Sequence, residues 1–346
     1  MSLRSIPLTA WMCFVCAAIA HNATAQQTYT LTPDDAWTSD ESLEPGTPEA
    51  MLADARRALA EGDARRAENL ATRWIERHDR HPLMPDAYLL RGDAKLAQQE
   101  HYKALYDYEY VARVYPGSEA FVTALERELQ IAKLFVRGTK RKFLGFRILS
   151  ATEEAQELLI RIQERMPGSR LGEDAGMELA DFYFRGRDMS LAAEAYELFI
   201  ENYPNSEQIS KARRRLIYSH LASFKGPRYS AAGLNEAKMR LEDLKAVEPV
   251  TAQQIGADAL IVRIDESNAA KLLENARWYL KRNDPIAAEL TIRRLVNRHL
   301  GTVAAAEALQ LVPSILPQLP ERVRQAAPDY DALRAGVLGA KTEASQ

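Results

Sequence analysis

One turn recurs through this chain and decides what the chain can fold into. Tyr115-Pro116-Gly117-Ser118 returns as Met166-Pro167-Gly168-Ser169 and as Tyr203-Pro204-Asn205-Ser206. Val247-Glu248-Pro249 is a looser copy, and His299-Leu300-Gly301-Thr302 keeps the turn but loses the proline. Twelve residues before each turn stands an alanine: Ala104, Ala155, Ala192, Ala237 and Ala288. Eight before stands a bulky residue (Tyr108, Leu159, Tyr196, Leu241, Ile292), and five before another apolar one (Val111, Ile162, Phe199, Leu244, Leu295). Offsets of four and three put all three on one face of a helix. The alanine admits a neighbouring backbone and the larger pair fill the space beside it. Proline then stops the helix, because it lacks an N–H and its ring clashes with the preceding turn.

From about residue 48 to 316 the pattern is helical nearly throughout, with apolar positions recurring at three and four. A first copy of the unit spans 48–82, with Gly62-Asp63 opening its second helix and Ala67, Ala71 and Trp74 on its packing face. The chain therefore predicts about six helix hairpins. A single hairpin cannot bury its apolar stripe alone, so consecutive hairpins must stack into one core. The expectation is an all-α, right-handed solenoid without an internal boundary, and no convincing strand alternation is found. Two irregular stretches absorb the longer spacings between turns: Arg137 to Ser150, and Phe224-Lys225-Gly226-Pro227-Arg228-Tyr229. Such insertions are cheap because loop-closure entropy rises slowly with length.

The ends read differently. Arg4, the apolar run from Ile6 to Ala20 and Ala23-Thr24-Ala25 have the form of a signal peptide over residues 1–25 with its cleavage site, so the mature product is expected to be exported to the periplasm or the periplasmic face of the outer membrane. Both cysteines, Cys13 and Cys16, lie in that leader, and neither has the leucine and small residue that precede a lipidated cysteine. The mature chain is thus expected to hold no disulfide and no thiol nucleophile. Residues 26–47 are acidic and proline-rich, with Pro33, Asp34, Asp35, Asp40, Glu41, Glu44 and Pro45, and read as a disordered linker. Residues 317–346 are expected to form a partly disordered tail.

The chemistry expected of this chain is sparse. The formal net charge of −3 gives no basic excess of the kind nucleic-acid binding needs. There is no phosphate-cradling glycine loop and no nucleophile elbow. His78 and His81 share a helix end without a third ligand, and a zinc site needs at least three. Adjacent acids such as Glu153-Glu154 point to different faces and read as solvated. A wall-cleaving enzyme would need a separate globular domain, which about thirty residues after 316 cannot supply. No catalytic, cofactor or metal residue is therefore assigned, and no small-molecule substrate.

Two basic clusters stand out. Lys211, Arg213, Arg214 and Arg215 lie on a helix and read as a solvated face. Arg137, Lys140, Arg141, Lys142 and Arg147 lie in the longer inserted stretch, with Phe143, Leu144 and Phe146 among them. Cations mixed with aromatics in a loop point to contact with a protein partner or lipid headgroups, so Arg137, Lys140, Arg141, Lys142, Phe143, Phe146 and Arg147 are the predicted partner-binding residues. The plainer alternative is a third helix burying the three apolar residues. Trp74, Trp278 and the helically spaced tyrosines read as core fillers.

The hairpin with its small residue, aromatic and closing proline resembles the tetratricopeptide repeat. More narrowly, three segments resemble the BamD (YfiO-like) family of outer-membrane-protein assembly factors. They are Ala192 to Ser206 (AAEAYELFIENYPNS), Ser223 to Leu244 with its FKGPRY, and Ala276 to Thr302 with ARWYLKRNDPIAAE. The resemblance implies a non-catalytic periplasmic scaffold. Its first two repeats would face unfolded clients, and repeats four to six would face the barrel-assembly machinery. The missing lipidated cysteine, the greater length and the tail depart from that family. A rival reading is a general adaptor of envelope or cell-division complexes, and a remote one is a peptidoglycan-acting enzyme.

Overall fold

A left-handed turn recurs within four hairpins and a pre-proline turn closes three, and sequence explains both. In the computed structural model the backbone is described for residues 29–31, 37–39, 44–138, 140–143, 146–150 and 152–343, with side chains over 44–138 and 153–337. Helices α1 (Pro48–Ala60) and α2 (Ala64–Arg77) form the first hairpin, α3 (Met84–Ala97) and α4 (His101–Val114) the second. Further on come α5 (Ala120–Val136), α6 (Thr152–Arg165), α7 (Arg170–Arg185) and α8 (Met189–Asn202). Within four hairpins the chain reverses through a left-handed residue: Gly62, Gln99, Arg187 and Asn283, with φ of 87°, 60°, 62° and 60°. An acid follows each. The carboxylates of Asp63, Asp188 and Asp284 accept the N–H three residues on, at 3.0, 3.3 and 2.9 Å, and so cap the next helix. At the far end, Tyr115, Tyr203 and Glu248 precede prolines and sit near φ −127° to −132° and ψ 53° to 67°, outside the helical region.

Contacts divide the chain into two compact units, Met1–Ala120 and Phe121–Gln346. In the first unit the core joins α1, α2 and α3 through Leu52, Ala55, Ala71, Trp74, Ile75, Met84, Ala87 and Leu90. Trp74 is fully buried, and its indole N–H donates to the Pro48 carbonyl at 2.7 Å.

The second unit continues with α9 (Ile209–Ser223), α10 (Ala232–Val247), the short α11 (Pro249–Gln254), α12 (Ala257–Lys281), α13 (Pro285–His299) and α14 (Val303–Ile315). Its core is a relay of clusters. One joins α7, α8 and α9 through Tyr196, Phe199 and Leu216. The next passes from α9 through α10 to α12 by way of Ile217, Leu241 and Ile264. The last joins α12, α13 and α14 through Leu273, Ile292 and Leu309. This is the packing of an all-α tetratricopeptide solenoid, where each hairpin buries its stripe against its neighbours. All the alanines and apolar residues read from the turn offsets are buried, none more than 2% exposed.

Three expectations need correction. The stretch Arg137 to Ser150 is neither an open loop nor a third helix: Lys140–Phe143 and Phe146–Ser150 form an antiparallel ribbon. A second ribbon, Tyr29–Leu31 with Trp37–Ser39, lies in the expected linker. Strands of three to five residues hold too few alternations to stand out in a sequence. The expected tail carries a 3-10 turn at Leu316–Gln318, then α15 (Glu321–Gln325) and α16 (Tyr330–Glu343). Val323, Leu333 and Val337 pack on the last cluster, and Tyr330 is buried in it. Their helical spacing is masked by Pro317, Pro320 and Pro328. Among the described residues no helix is long and apolar enough to cross a membrane.

Candidate functional site

The second inserted stretch builds a cleft. Phe224 is half-buried against the cluster of α9, α10 and α12, which anchors the loop's start. Gly226, at φ 116°, turns the chain, and the Tyr229 N–H closes the turn on the Gly226 carbonyl at 3.0 Å. Lys271 of α12 donates to the Tyr229 carbonyl and ties the loop to that helix. One face of α12 (Glu266, Ala270, Leu273, Glu274, Arg277) forms the floor, with spacings of four, three, one and three residues. Val303, Ala304 and Glu307 at the start of α14 form the opposite wall. The cleft holds about 430 Å³.

Its chemistry is that of recognition. Ala270 and Leu273 make an apolar floor, and Ala304 is the small apolar residue of the wall. Around it run paired charges: Arg228 with Glu274 at 3.5 Å and Arg277 with Glu307 at 2.9 Å. The Glu266 carboxylate accepts the N–H groups of Val303 at 2.8 Å and Ala304 at 3.0 Å, so it fixes α14 against α12. Tyr229 and Val303 stand exposed at the rim and are free to cover a docked chain. An extended segment with one apolar side chain and free backbone amides fits such a slot.

Neighbouring hairpins are joined by a buried carboxylate. Asp181 of α7 accepts from the Tyr196 hydroxyl of α8 at 2.6 Å, from Lys211 of α9 at 2.8 Å, and from Arg215 of α9. Burial alone would raise its pKa. The hydrogen bonds from Lys211 and Tyr196 and the charge of Arg215 outweigh burial and hold it below the usual carboxylate range. The Tyr196 hydroxyl is pushed strongly up, by burial first and by its bond to Asp181 second. A related node occupies the first unit, where Asp107 accepts from Arg91 at 2.6 Å and Lys95 at 2.8 Å. There the Tyr108 hydroxyl donates to Asp93 at 2.8 Å, the counterpart of Tyr196 and Asp181.

Two sequence expectations need correction here. Of Lys211, Arg213, Arg214 and Arg215, three are not a solvated face: Lys211 and Arg215 hold Asp181, and Arg213 pairs with Glu248. Trp278 is not a core filler. It is 48% exposed, with the Arg282 guanidinium 4.2 Å from its ring centroid. Sequence reading missed the nodes, although the acid stands fifteen residues before the tyrosine in both hairpins. The cleft was half visible, as the FKGPRY insertion.

Of the predicted partner-binding residues, Arg137 is exposed just beyond α5. Lys140, Arg141, Lys142, Phe143, Phe146 and Arg147 belong to the ribbon, with Arg141 opposite Leu149, Lys142 opposite Arg147 and Phe143 opposite Phe146. Their side chains lie outside the described residues. The leader, with Cys13 and Cys16, lies outside them as well. Among the described residues no three His, Cys, Asp or Glu side chains converge as metal ligands would.

Residues 149–326 match the profile of the YfiO family, described as outer membrane lipoprotein. The match includes the cleft and the Asp181 node. No curated protein matches the chain. Among solved structures, the C-terminal part of a TPR repeat-containing protein from Cytophaga hutchinsonii is 12% identical, covering 77% of this chain and 89% of that one, with a TM-score of 0.37. A tetratricopeptide repeat protein from Parabacteroides merdae is 14% identical, covering 77% of this chain and 98% of that one, with a TM-score of 0.36.

Proposed function

Because the chain belongs to the YfiO family, we propose that it is a non-catalytic scaffold of the cell envelope that helps assemble outer-membrane proteins. The carrying observation is that the match from 149 to 326 takes in the cleft of α12, α14 and the 224–229 loop. In this reading the cleft receives an extended segment of an assembly component. The protein's contribution is a rigid surface: hairpins locked by Asp181 and Glu266 present the slot without rearrangement, which keeps the ordering cost of binding low. The leader-like residues 1–25 support export in this reading, and the surroundings of Cys13 and Cys16 lack the lipidation pattern.

Capture of the tagged chain from solubilised envelopes, with identification of what co-purifies, tests the reading. Barrel-assembly components are expected, and their absence overturns it. Recovery of division proteins instead would favour the general adaptor. The cleft is tested separately with Arg277→Glu, which sets a like charge against Glu307. That surface pair contributes at most about 1 kcal/mol, so folding should persist while recovery of the partner falls.

A further inference from the structure

Helix α2 carries arginines that no acid answers. Arg65, Arg66, Arg73 and Arg77 lie on one arc of the helix, Arg80 follows in the turn beyond it, and all are exposed. On the neighbouring α1 the two arginines are paired, Arg56 with Asp86 and Arg57 with Asp54, both at 3.1 Å. On α2 no carboxylate among the described residues lies within ion-pair distance of any of the five. Arg73 Nε donates to the Asn69 carbonyl at 3.3 Å, within the helix itself. Arg73 and Arg77 are four apart, where like charges repel. The opposite face, with Ala67, Ala71, Trp74 and Ile75, is buried in the core. Stability therefore does not account for this arc.

We infer that this face of α2 docks on an anionic lipid surface, its guanidinium groups pairing with headgroup phosphates. The planar guanidinium matches a phosphate through two parallel N–H bonds. A protein partner would call for an aromatic or apolar anchor at the centre of the contact. This arc has none: its other exposed residues are Asn69 and Glu76, and no large apolar side chain of α2 is exposed. The arginines spread over about 20 Å of helix at irregular intervals. Lipid phosphates, free to move sideways, can meet such spacing without a matched surface. With nothing apolar to insert, the attachment is electrostatic and screened by salt.

The test is sedimentation of the full chain with vesicles of phosphatidylcholine mixed with phosphatidylglycerol, against phosphatidylcholine alone, at low and high salt. An apolar contribution from residues 6–20 is common to both vesicles and cancels in the ratio. The chain should prefer the anionic vesicles, and the preference should fall with salt. Replacing Arg65, Arg66, Arg73 and Arg77 together by Gln should cut it by about five hundredfold, at about fivefold per charge. Lysine at the same four positions should keep most of it. Should the fourfold variant fail to fold, R65Q/R66Q and R73Q/R77Q decide the matter, each expected to lose about twentyfold. No preference for anionic vesicles, a preference indifferent to salt, or one that survives the Gln variants overturns the inference. So does a preference abolished only by Lys140→Gln, Arg141→Gln and Lys142→Gln in the ribbon. Vesicle binding intact in the Gln variants, with a contact to an acidic protein lost, assigns the face to that protein.

Discussion

Asp181 shows how much one side chain does in a repeat. It is 8% exposed and takes bonds from two helices, one in its own hairpin and one in the next. Asp181→Ala leaves Lys211 and Arg215 without their anion and should cost about 3 kcal/mol in urea unfolding. The carboxyl binds its proton more weakly folded than unfolded. Its contribution is therefore complete above the unfolded pKa of about 4 and is lost as pH falls through the lower folded value. The stability gap between the protein and Asp181→Asn should stay level at neutral pH and close below about pH 4; a gap that widens in acid would refute this account. Gly172 gives a second residue-level test, since a Cβ there would sit 2.4 Å from the Met166 carbonyl oxygen. Gly172→Ala should destabilise by about 1–3 kcal/mol although alanine is the better helix former. The small, bulky and apolar positions of the repeat were legible because burial imposes a period. The acid at Asp181 was not, because its cationic partners Lys211 and Arg215 come from the next hairpin and a lone carboxylate looks solvated.

At the scale of the element, the hairpin is set by its two ends. The closing end was read from proline alone, and Tyr115, Tyr203 and Glu248 leave the helical region that a following proline disfavours. The opening end was read only at Gly62: Gln99 and Arg187 are not residues that usually announce a left-handed turn, and the signal of Asn283, whose residue type does favour it, was passed over. At Arg187 a non-glycine side chain occupies φ 62° on an exposed turn. Arg187→Gly should therefore stabilise the protein by about 0.5–1 kcal/mol, while Arg187→Ala should not, as judged by urea midpoints. If both substitutions behaved alike, the turn would not be carrying backbone strain. The ribbon of Lys140–Phe143 and Phe146–Ser150 escaped sequence reading for the opposite reason. Strands of four and five residues, rich in cations and aromatics, carry too little alternation to mark them.

A stack of hairpins ends where something covers the last apolar face, and a terminal element with a polar outer side is what such arrays require. In the second unit that cover is α16. Tyr330 and Leu333 point into the cluster of α12, α13 and α14, while Asp331 is exposed. The Tyr330 hydroxyl donates to Glu289 at 2.6 Å, and Glu289, 1% exposed, is also held by Arg293 at 2.9 Å. Sequence reading stopped at Pro317 because prolines end helices, and it took the end of the repeats for the end of the fold. Two variants separate the parts of the contact. Tyr330→Phe keeps the ring and leaves Glu289 short of a donor, at a cost of about 1–2 kcal/mol. Tyr330→Ala also opens a cavity and should cost about 3–5 kcal/mol. Removing residues 319–346 goes further, baring Leu309, Val312 and Ile315 of α14, all buried in the intact chain. The shortened protein should bind a hydrophobic dye, associate with itself and be cleaved within α14 under limited proteolysis. A shortened protein that stays monomeric, excludes the dye and unfolds at the same urea midpoint would mean that α14 closes the stack unaided and α16 is dispensable to it.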